Sequence, residues 1–308
     1  MAGKQIFDYF CEKIVIWFRQ NIVKRLIEKL YDALAPMPDE GERNAIVRAI
    51  CCDMLGISAT AYYLKEEVTL SPDREAQLER IMARLKKGEP LQYIEGRAPF
   101  CGMDFVVDSN VLIPRPETAE LVGWVAGDFC LRQPKILDLG TGSGCIAVSL
   151  SRMLPQATVE ACDISDGALA IARENSRRNK ADVKFFSFDI LQNEPALPHT
   201  YDVLVSNPPY IKQSEAADME HHVTGWEPHL ALFVPDDDAL RFYRAIAEIG
   251  QTAALSPGGC IYVEINQALG KETVALFEAY GYKDVALRKD IYGNDRMVKG
   301  VKQPEAVR

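Results

Sequence analysis

The chain has 308 residues, 48% of them apolar and 26% charged, which excludes a disordered or low-complexity protein and fits about two globular domains. Its 35 basic and 44 acidic side chains leave a net charge of -9, which argues against a protein that coats nucleic acid. No run of about 20 apolar residues offers a membrane span and no signal-peptide pattern opens the chain, so a cytoplasmic protein is expected.

The first 90 residues balance 14 basic against 14 acidic side chains, so the excess of acid lies in the remainder. Ile6, Phe10, Ile14, Trp17, Leu26 and Leu30 recur at helical steps and predict an amphipathic helix over 4–34, ended by Pro36 and Pro38. A second helix fits 42–55, stopped by Gly56. A third fits 71–87, with Ser71 as N-cap, Pro72 at the first helical position and Gly88 after the end. Residues 1–88 therefore read as a small helical domain. Nothing in it has catalytic spacing, which leaves a packing or docking role; substrate docking is the expected one.

Over 89–113, Leu91, Tyr93, Phe100, Phe105, Val107, Val111 and Ile113 are punctuated by Gly96, Pro99 and Gly102. This predicts a β-hairpin linker. Pro114 and Pro116 flank Arg115 and open a helix over 117–126. From Lys135 onward strands and helices alternate. Strands are expected at 135–139, 157–162, 183–187, 201–206, 259–265, 282–288 and 296–301. Helices are expected near 144–153, 165–179, 238–255 and 268–280. Such alternation implies an α/β fold over 114–308, with a mostly parallel sheet covered on both faces. The connection 289–295 is too short for a crossover helix, so the last two strands should pair antiparallel.

The eight cysteines (11, 51, 52, 101, 130, 145, 162 and 260) contain no CxxC and read as reduced structural thiols. His199, His221, His222 and His229 form no HExxH, so no metal site is expected.

Three constellations carry chemistry. In the first, the apolar strand Ile136–Leu139 runs into Gly140-Thr141-Gly142-Ser143-Gly144 and then a helix. Glycines let a ligand approach the backbone at the carboxyl end of a strand, although a plain strand-to-helix turn uses them too. In the second, Asp163 and Asp189 end the next two strands. Asp163 can accept bonds from a ribose diol or cap the following helix, a task for which Ser165 competes. Asp189 can accept from an adenine amine, with Ile190 against the ring. The third is Asn207-Pro208-Pro209-Tyr210, directly after the strand 201–206. Two prolines fix φ and remove donors, so a rigid loop presents carbonyls beside the Asn side chain. Such a loop suits an –NH2 group, with Tyr210 as a flat face; a Pro-Pro that merely ends a strand is the plainer reading.

Asp138-Leu-Gly-Thr-Gly-Ser-Gly144 with Asn207-Pro-Pro-Tyr210 resembles class I S-adenosylmethionine methyltransferases that modify an amide or exocyclic nitrogen. Leu91-Gln-Tyr-Ile-Glu-Gly96, Phe100-Cys-Gly102, Phe105, Val111-Leu-Ile-Pro-Arg-Pro-Glu-Thr118 and the late segment 290–296 narrow this to the HemK/PrmC family. That family comprises the glutamine-N5 methyltransferases of peptide chain release factors. The resemblance covers about residues 40–300 and implies a Rossmann-like seven-stranded class I methyltransferase sheet. It implies S-adenosyl-L-methionine on Gly140 to Gly144, Asp163, Asp189, Ile190 and Asn207. The glutamine amide would lie on Asn207 to Tyr210, with catalysis by Asn207, Pro208 and Tyr210. Phe100, Arg115 and Glu117 are expected near the pocket. The segment 211–237, carrying Trp226-Glu227-Pro228, is long for a structureless loop and reads as a lid or substrate flap. Rival readings are a DNA or RNA amino-group methyltransferase, disfavoured by the acidic catalytic half, and a sister enzyme acting on a ribosomal protein. A non-catalytic binding module should have lost Asn207, Asp163 or a glycine, and all are present.

Overall fold

The computed structural model describes residues 22–35, 39–66, 68–192, 197–219 and 221–304; the helical turns expected over 4–21 lie outside the described residues. The chain divides into two compact units, one ending at Glu95 and one beginning at Gly96.

The first unit is helical: α1 (Ile22–Ala33), α2 (Glu40–Ala49), α3 (Ala59–Leu64), α4 (Pro72–Leu85) and α5 (Leu91–Glu95). Leu26, Leu30, Val47, Ile50, Leu55, Leu78 and Ile81 fill its core. Starts follow from caps. Asp39, Ser58 and Ser71 accept from Glu42, Ala61 and Arg74 N–H respectively, and Pro72 takes the first helical position. Helix α2 widens into a π turn over Ile50–Met54 and stops at Gly56, whose φ is +64°. The short helices α3 and α5 are additions to the sequence reading.

The expected linker 89–113 is shared between the units. Leu91 and Ile94 of α5 pack with the first unit's helices. The hairpin β1 (Arg97–Phe100) and β2 (Met103–Val106) instead packs Phe100 and Phe105 into the second unit. Its two-residue turn, Cys101-Gly102, has φ of +47° and +73°, the left-handed pair a tight hairpin requires.

After α6 (Pro116–Phe129), the second unit alternates as expected. The order is β3 (Lys135–Leu139), α7 (Cys145–Met153), β4 (Thr158–Asp163), α8 (Asp166–Arg178), β5 (Val183–Ser187) and β6 (Tyr201–Ser206). A segment with β7 (Ile211–Lys212), α9 (His221–Thr224), α10 (His229–Leu232) and β8 (Phe233–Val234) follows, then α11 (Arg241–Gln251), β9 (Leu255–Glu264), α12 (Gly270–Ala279), β10 (Lys283–Lys289) and β11 (Asp295–Val301). The sheet has seven strands in the order β10-β11-β9-β6-β3-β4-β5. Strands β9, β6, β3, β4 and β5 run parallel, and β11 pairs antiparallel with both β9 and β10.

Alternate residues of each central strand enter opposite cores. Ile136, Val203 and Val205 face one with α6 and α7, while Leu137, Leu139 and Leu204 face the other with α11 and α12. Burial on both sides is why these strands read as continuous apolar runs. Helix α11 ends earlier than expected because Thr252 and Ala254 turn the chain into β9. The order of strands reverses between β3 and β6. This switch point opens a crevice at their carboxyl ends, which positions the site.

Candidate active site

The crevice is a cleft open to solvent and bounded by the ends of β3, β4, β5 and β6. Gly140, Gly142 and Gly144 have φ of +73°, +53° and +79°, so this loop follows a path that Cβ-bearing residues rarely take. A Cβ at Gly142 would meet nothing within 4 Å and would stand in open space on the cleft wall. At Gly144 it would press on Ala172 at 3.1 Å, so this glycine serves close packing of α7 on α8 rather than the cleft.

The loop is held from below. Gly140 and Thr141 N–H both donate to Cys162 O at 2.9 Å. Thr141 Oγ1 donates to the fully buried Asp138 at 2.6 Å. Burial pushes the Asp138 carboxyl up to about 7, against the pull of the Thr141 hydrogen bond. Asn175 on α8 is also fully buried. Its Nδ2 donates to Ser143 O at 2.9 Å and Val106 O at 3.0 Å, while Oδ1 accepts Val106 N–H at 2.6 Å. One side chain thus ties the hairpin's end to the glycine loop.

Asp163 stands across the cleft wall. Gly142 N–H donates to its Oδ2 at 2.8 Å and Ser165 N–H to its Oδ1 at 2.9 Å. Burial raises this carboxyl above the ordinary aspartate value, opposed by the donors from Ser165, Gly142 and Ile164. The cap of α8 is Ser165, whose Oγ accepts Ala168 N–H at 3.2 Å. Asp163 is therefore not consumed as the cap. Asp189, fixed by Leu191 N–H at 2.9 Å, and Ile190 complete this wall with Phe188.

Asn207 and Pro209 line the opposite side. Asn207 Nδ2 donates to Thr118 Oγ1 at 3.1 Å, and Thr118 Oγ1 donates to Glu264 Oε2 at 2.6 Å. Tyr210 does not line the cleft; its hydroxyl turns inward and donates to Glu264 Oε1 at 3.2 Å. Glu264 ends β9 fully buried, which pushes its carboxyl up, while Thr118, Arg296 and Tyr210 favour the ionised form. Pro208 is buried.

Of the other expected residues, Arg115 lines the cleft and pairs at 2.5 Å with Glu227, which is 3% exposed. Glu117 is half-buried beside Thr118, off the cleft wall. Phe100 does not reach the cleft: strand β1 alternates, and its inward residues are Ala98 and Phe100. Phe100 packs edge-on against Phe105 at 5.9 Å. The segment 211–237 is built rather than structureless, since β7 and β8 pair parallel and Glu227 Oε2 accepts Ile113 N–H at 3.1 Å. Asn175 and Glu264 carry no assignment from sequence, and Thr118 and Glu227 enter it only as members of the Val111–Thr118 motif and the 211–237 segment. Glu264 had a signal, being an acid that ends an apolar strand as Asp163 does.

Among the described residues no helix is long and apolar enough to cross a membrane, and no group of three His, Cys, Asp or Glu is placed to hold a metal.

Residues 26–96 match the PrmC N-terminal domain and 125–224 the Methyltransferase small domain. A methyltransferase from Pyrococcus furiosus, 18% identical, shares the fold over 76% of this chain and 100% of its own, with a TM-score of 0.50. The release factor glutamine methyltransferase of Bacteroides thetaiotaomicron is 47% identical over 90% of this chain and 99% of its own length. That of Flavobacterium psychrophilum is 45% identical over 90% and 98%. At such identity over nearly the whole of both chains, this protein belongs to the release factor glutamine methyltransferase family and is a methyltransferase.

Proposed function

We propose that the protein methylates the side-chain amide nitrogen (N5) of the glutamine in the Gly-Gly-Gln loop of peptide chain release factors, using S-adenosyl-L-methionine. The observation that carries this reading is the direction of the Asn207 amide. Its Nδ2 gives one N–H to Thr118, which sets the orientation of the amide and leaves Oδ1 as its acceptor for a substrate –NH2.

The cleft fits the cofactor. The open space over Gly142 is one a side chain would fill, and the neighbouring wall offers two carboxylates and an apolar face. Gly140, Thr141, Gly142 and Ser143 would hold its methionine end and Asp163 its ribose. Asp189 and Ile190 would hold the adenine. When bound, the cofactor supplies a methyl carbon already activated by the positive charge on sulfur.

An amide nitrogen is a poor nucleophile because its lone pair is delocalised into the carbonyl. The protein's task is chiefly alignment of nitrogen with methyl carbon and sulfur. Asn207 Oδ1 and the Pro208 carbonyl accept the two N–H bonds, which fixes the plane of the amide. The same acceptors favour the positive charge that develops on nitrogen. The proton leaves to water after transfer. Pro209 stiffens the loop, and Tyr210 anchors it through Glu264. A glutamine on an exposed glycine-flanked loop enters without unfolding its domain. A net charge of -9 disfavours bare nucleic acid as the substrate. Translation termination is a cytoplasmic process, and this substrate places the enzyme there.

The test mixes purified protein and labelled S-adenosylmethionine with a release factor, its Gln→Ala loop variant, a ribosomal protein, or DNA. Label is expected on the intact release factor alone. Label on DNA or the ribosomal protein instead, or on the Gln→Ala variant, overturns the reading.

A further inference from the structure

The polar groups behind Asn207 form a chain whose proton direction is fixed at its far end. Glu264 is 1% exposed and Thr118 2% exposed, so neither exchanges its partners for water. An ionised carboxylate only accepts, and both Glu264 oxygens are engaged, Oε2 by the Thr118 hydroxyl at 2.6 Å and Oε1 by Tyr210 at 3.2 Å. Burial lifts this carboxyl, and the two hydroxyl donors with the Arg296 guanidinium on the neighbouring strand pull it back towards the ionised form in which both oxygens accept. A threonine hydroxyl has one proton. Once that proton is given to Glu264, Thr118 Oγ1 can only accept, and what it accepts is Asn207 Nδ2–H at 3.1 Å. Turning the Asn207 amide over would set its carbonyl oxygen against a hydroxyl with no proton to offer, and would aim N–H at the cleft. A substrate –NH2 would then meet donors instead of an acceptor.

We propose that Thr118 and Glu264 are positioning residues that lock the Asn207 side-chain amide with Oδ1 towards the cleft, and so impose the polarity that selects and aligns an –NH2 group. The inference rests on the amide-nitrogen reading above. It adds two residues, 89 and 57 positions from Asn207 in sequence, that act on Asn207 from behind; Thr118 ends the Val111–Thr118 motif and Glu264 belongs to none.

The test has one readout that needs no substrate and one that does. In full-length protein labelled with ¹⁵N-asparagine, the Asn207 side-chain amide should exchange slowly with solvent in wild type and Thr118→Ser. Exchange should be at least about tenfold faster in Thr118→Val, which keeps the shape and removes the acceptor. Steady-state methylation of the release factor should show kcat lowered about 10–100-fold in Thr118→Val and Glu264→Gln, the range seen when an outer partner of a site group is lost. Cofactor affinity should stay within about twofold, and Thr118→Ser should restore most of kcat. Fast exchange of the Asn207 amide in wild type overturns the proposal, whether or not Thr118→Val folds. So does a folded Thr118→Val with near-normal kcat, or a Thr118→Ser as impaired as Thr118→Val, which would mean packing alone. A protected amide in an enzyme that never labels release factors supports the lock and overturns only the substrate reading.

Discussion

Arg115 and Glu227, 112 positions apart in sequence, form an ion pair at the mouth of the cleft, with Arg115 Nη2 at 2.5 Å from Glu227 Oε1. The carboxylate's other oxygen takes Ile113 N–H at 3.1 Å. The side chain of Glu227 is wholly buried and that of Arg115 about one-third exposed. The segment after Asn207-Pro208-Pro209-Tyr210 is thereby pinned to the stretch of chain that leads into α6. Pro228, Leu230 and Ala231 reach the cleft wall from this anchor.

Removing Arg115 leaves a buried carboxylate with only one neutral donor. Arg115→Ala should destabilise the protein by about 2 kcal/mol, the scale of a hydrogen bond to a charged group that leaves its partner behind. Glu227→Gln should do less damage, because the amide oxygen still accepts from Ile113. Both variants should weaken substrate binding more than cofactor binding if the segment shapes the entrance. Chemical denaturation and KM for each substrate decide it, and an Arg115→Ala protein as stable as wild type would contradict the pairing.

A second long-range tie makes a sharper stability prediction. Asn175 satisfies Val106 N–H, Val106 O and Ser143 O together. Asn175→Ala should leave all three without that partner and cost about 2–3 kcal/mol. Because Ser143 belongs to the glycine loop, cofactor affinity should fall as well. Urea unfolding with calorimetry tests both; lost stability with unchanged affinity would show that the tie supports the hairpin alone.

Most strands were legible because both faces of the sheet are buried, so runs such as Ile136–Leu139 and Tyr201–Ser206 are apolar without interruption. The cleft was legible because glycines and prolines act on their own backbone, where sequence neighbours suffice. Helices α3 and α5 and the pair β7 and β8 escaped notice, since elements of two to six residues carry no measurable period. Phe100 shows the opposite failing. A motif residue was expected at the cleft, but the pleat of β1 decides which way it faces, and it faces the core. Thr118 and Glu264 meet across 146 positions, and no local pattern encodes such a pair.

Burial of Asp138 has a consequence for pH. Its carboxyl rises from 3.8 to about 7 in the folded protein. Between those values the native state holds a proton that the unfolded chain has released, so stability falls as pH rises through this window. The contribution is fully present below the unfolded value and gone above about 7. Its slope approaches about 1.4 kcal/mol per pH unit at most. Asp138→Asn cannot titrate, so its unfolding free energy should vary less between pH 5 and pH 7.5 than that of wild type. Identical slopes for the two proteins would exclude a raised Asp138.

Asp163 and Ser165 permit a test that separates binding from folding at one turn of chain. Ser165 caps α8 through Ala168 N–H, and Asp163 faces the cleft two residues earlier. Ser165→Ala should cost about 1 kcal/mol of stability, the usual worth of an N-cap, and leave cofactor affinity nearly unchanged. Asp163→Ala keeps the cap but removes the acceptor for a ribose diol. It should weaken S-adenosylmethionine binding by about 1–3 kcal/mol, a loss of roughly 5- to 150-fold. The acid limb follows the same logic. Asp163 accepts two hydroxyls best when ionised, and burial lifts its titration above 3.8. Wild-type affinity should therefore fall on acidification at a pH above the ordinary aspartate value, and Asp163→Asn should lose that limb. Calorimetric titrations of wild type and the three variants from pH 4.5 to pH 8, with thermal unfolding of the same samples, supply the comparison. If Asp163→Ala bound the cofactor like wild type while Ser165→Ala did not, the roles assigned to the two residues would have to be exchanged.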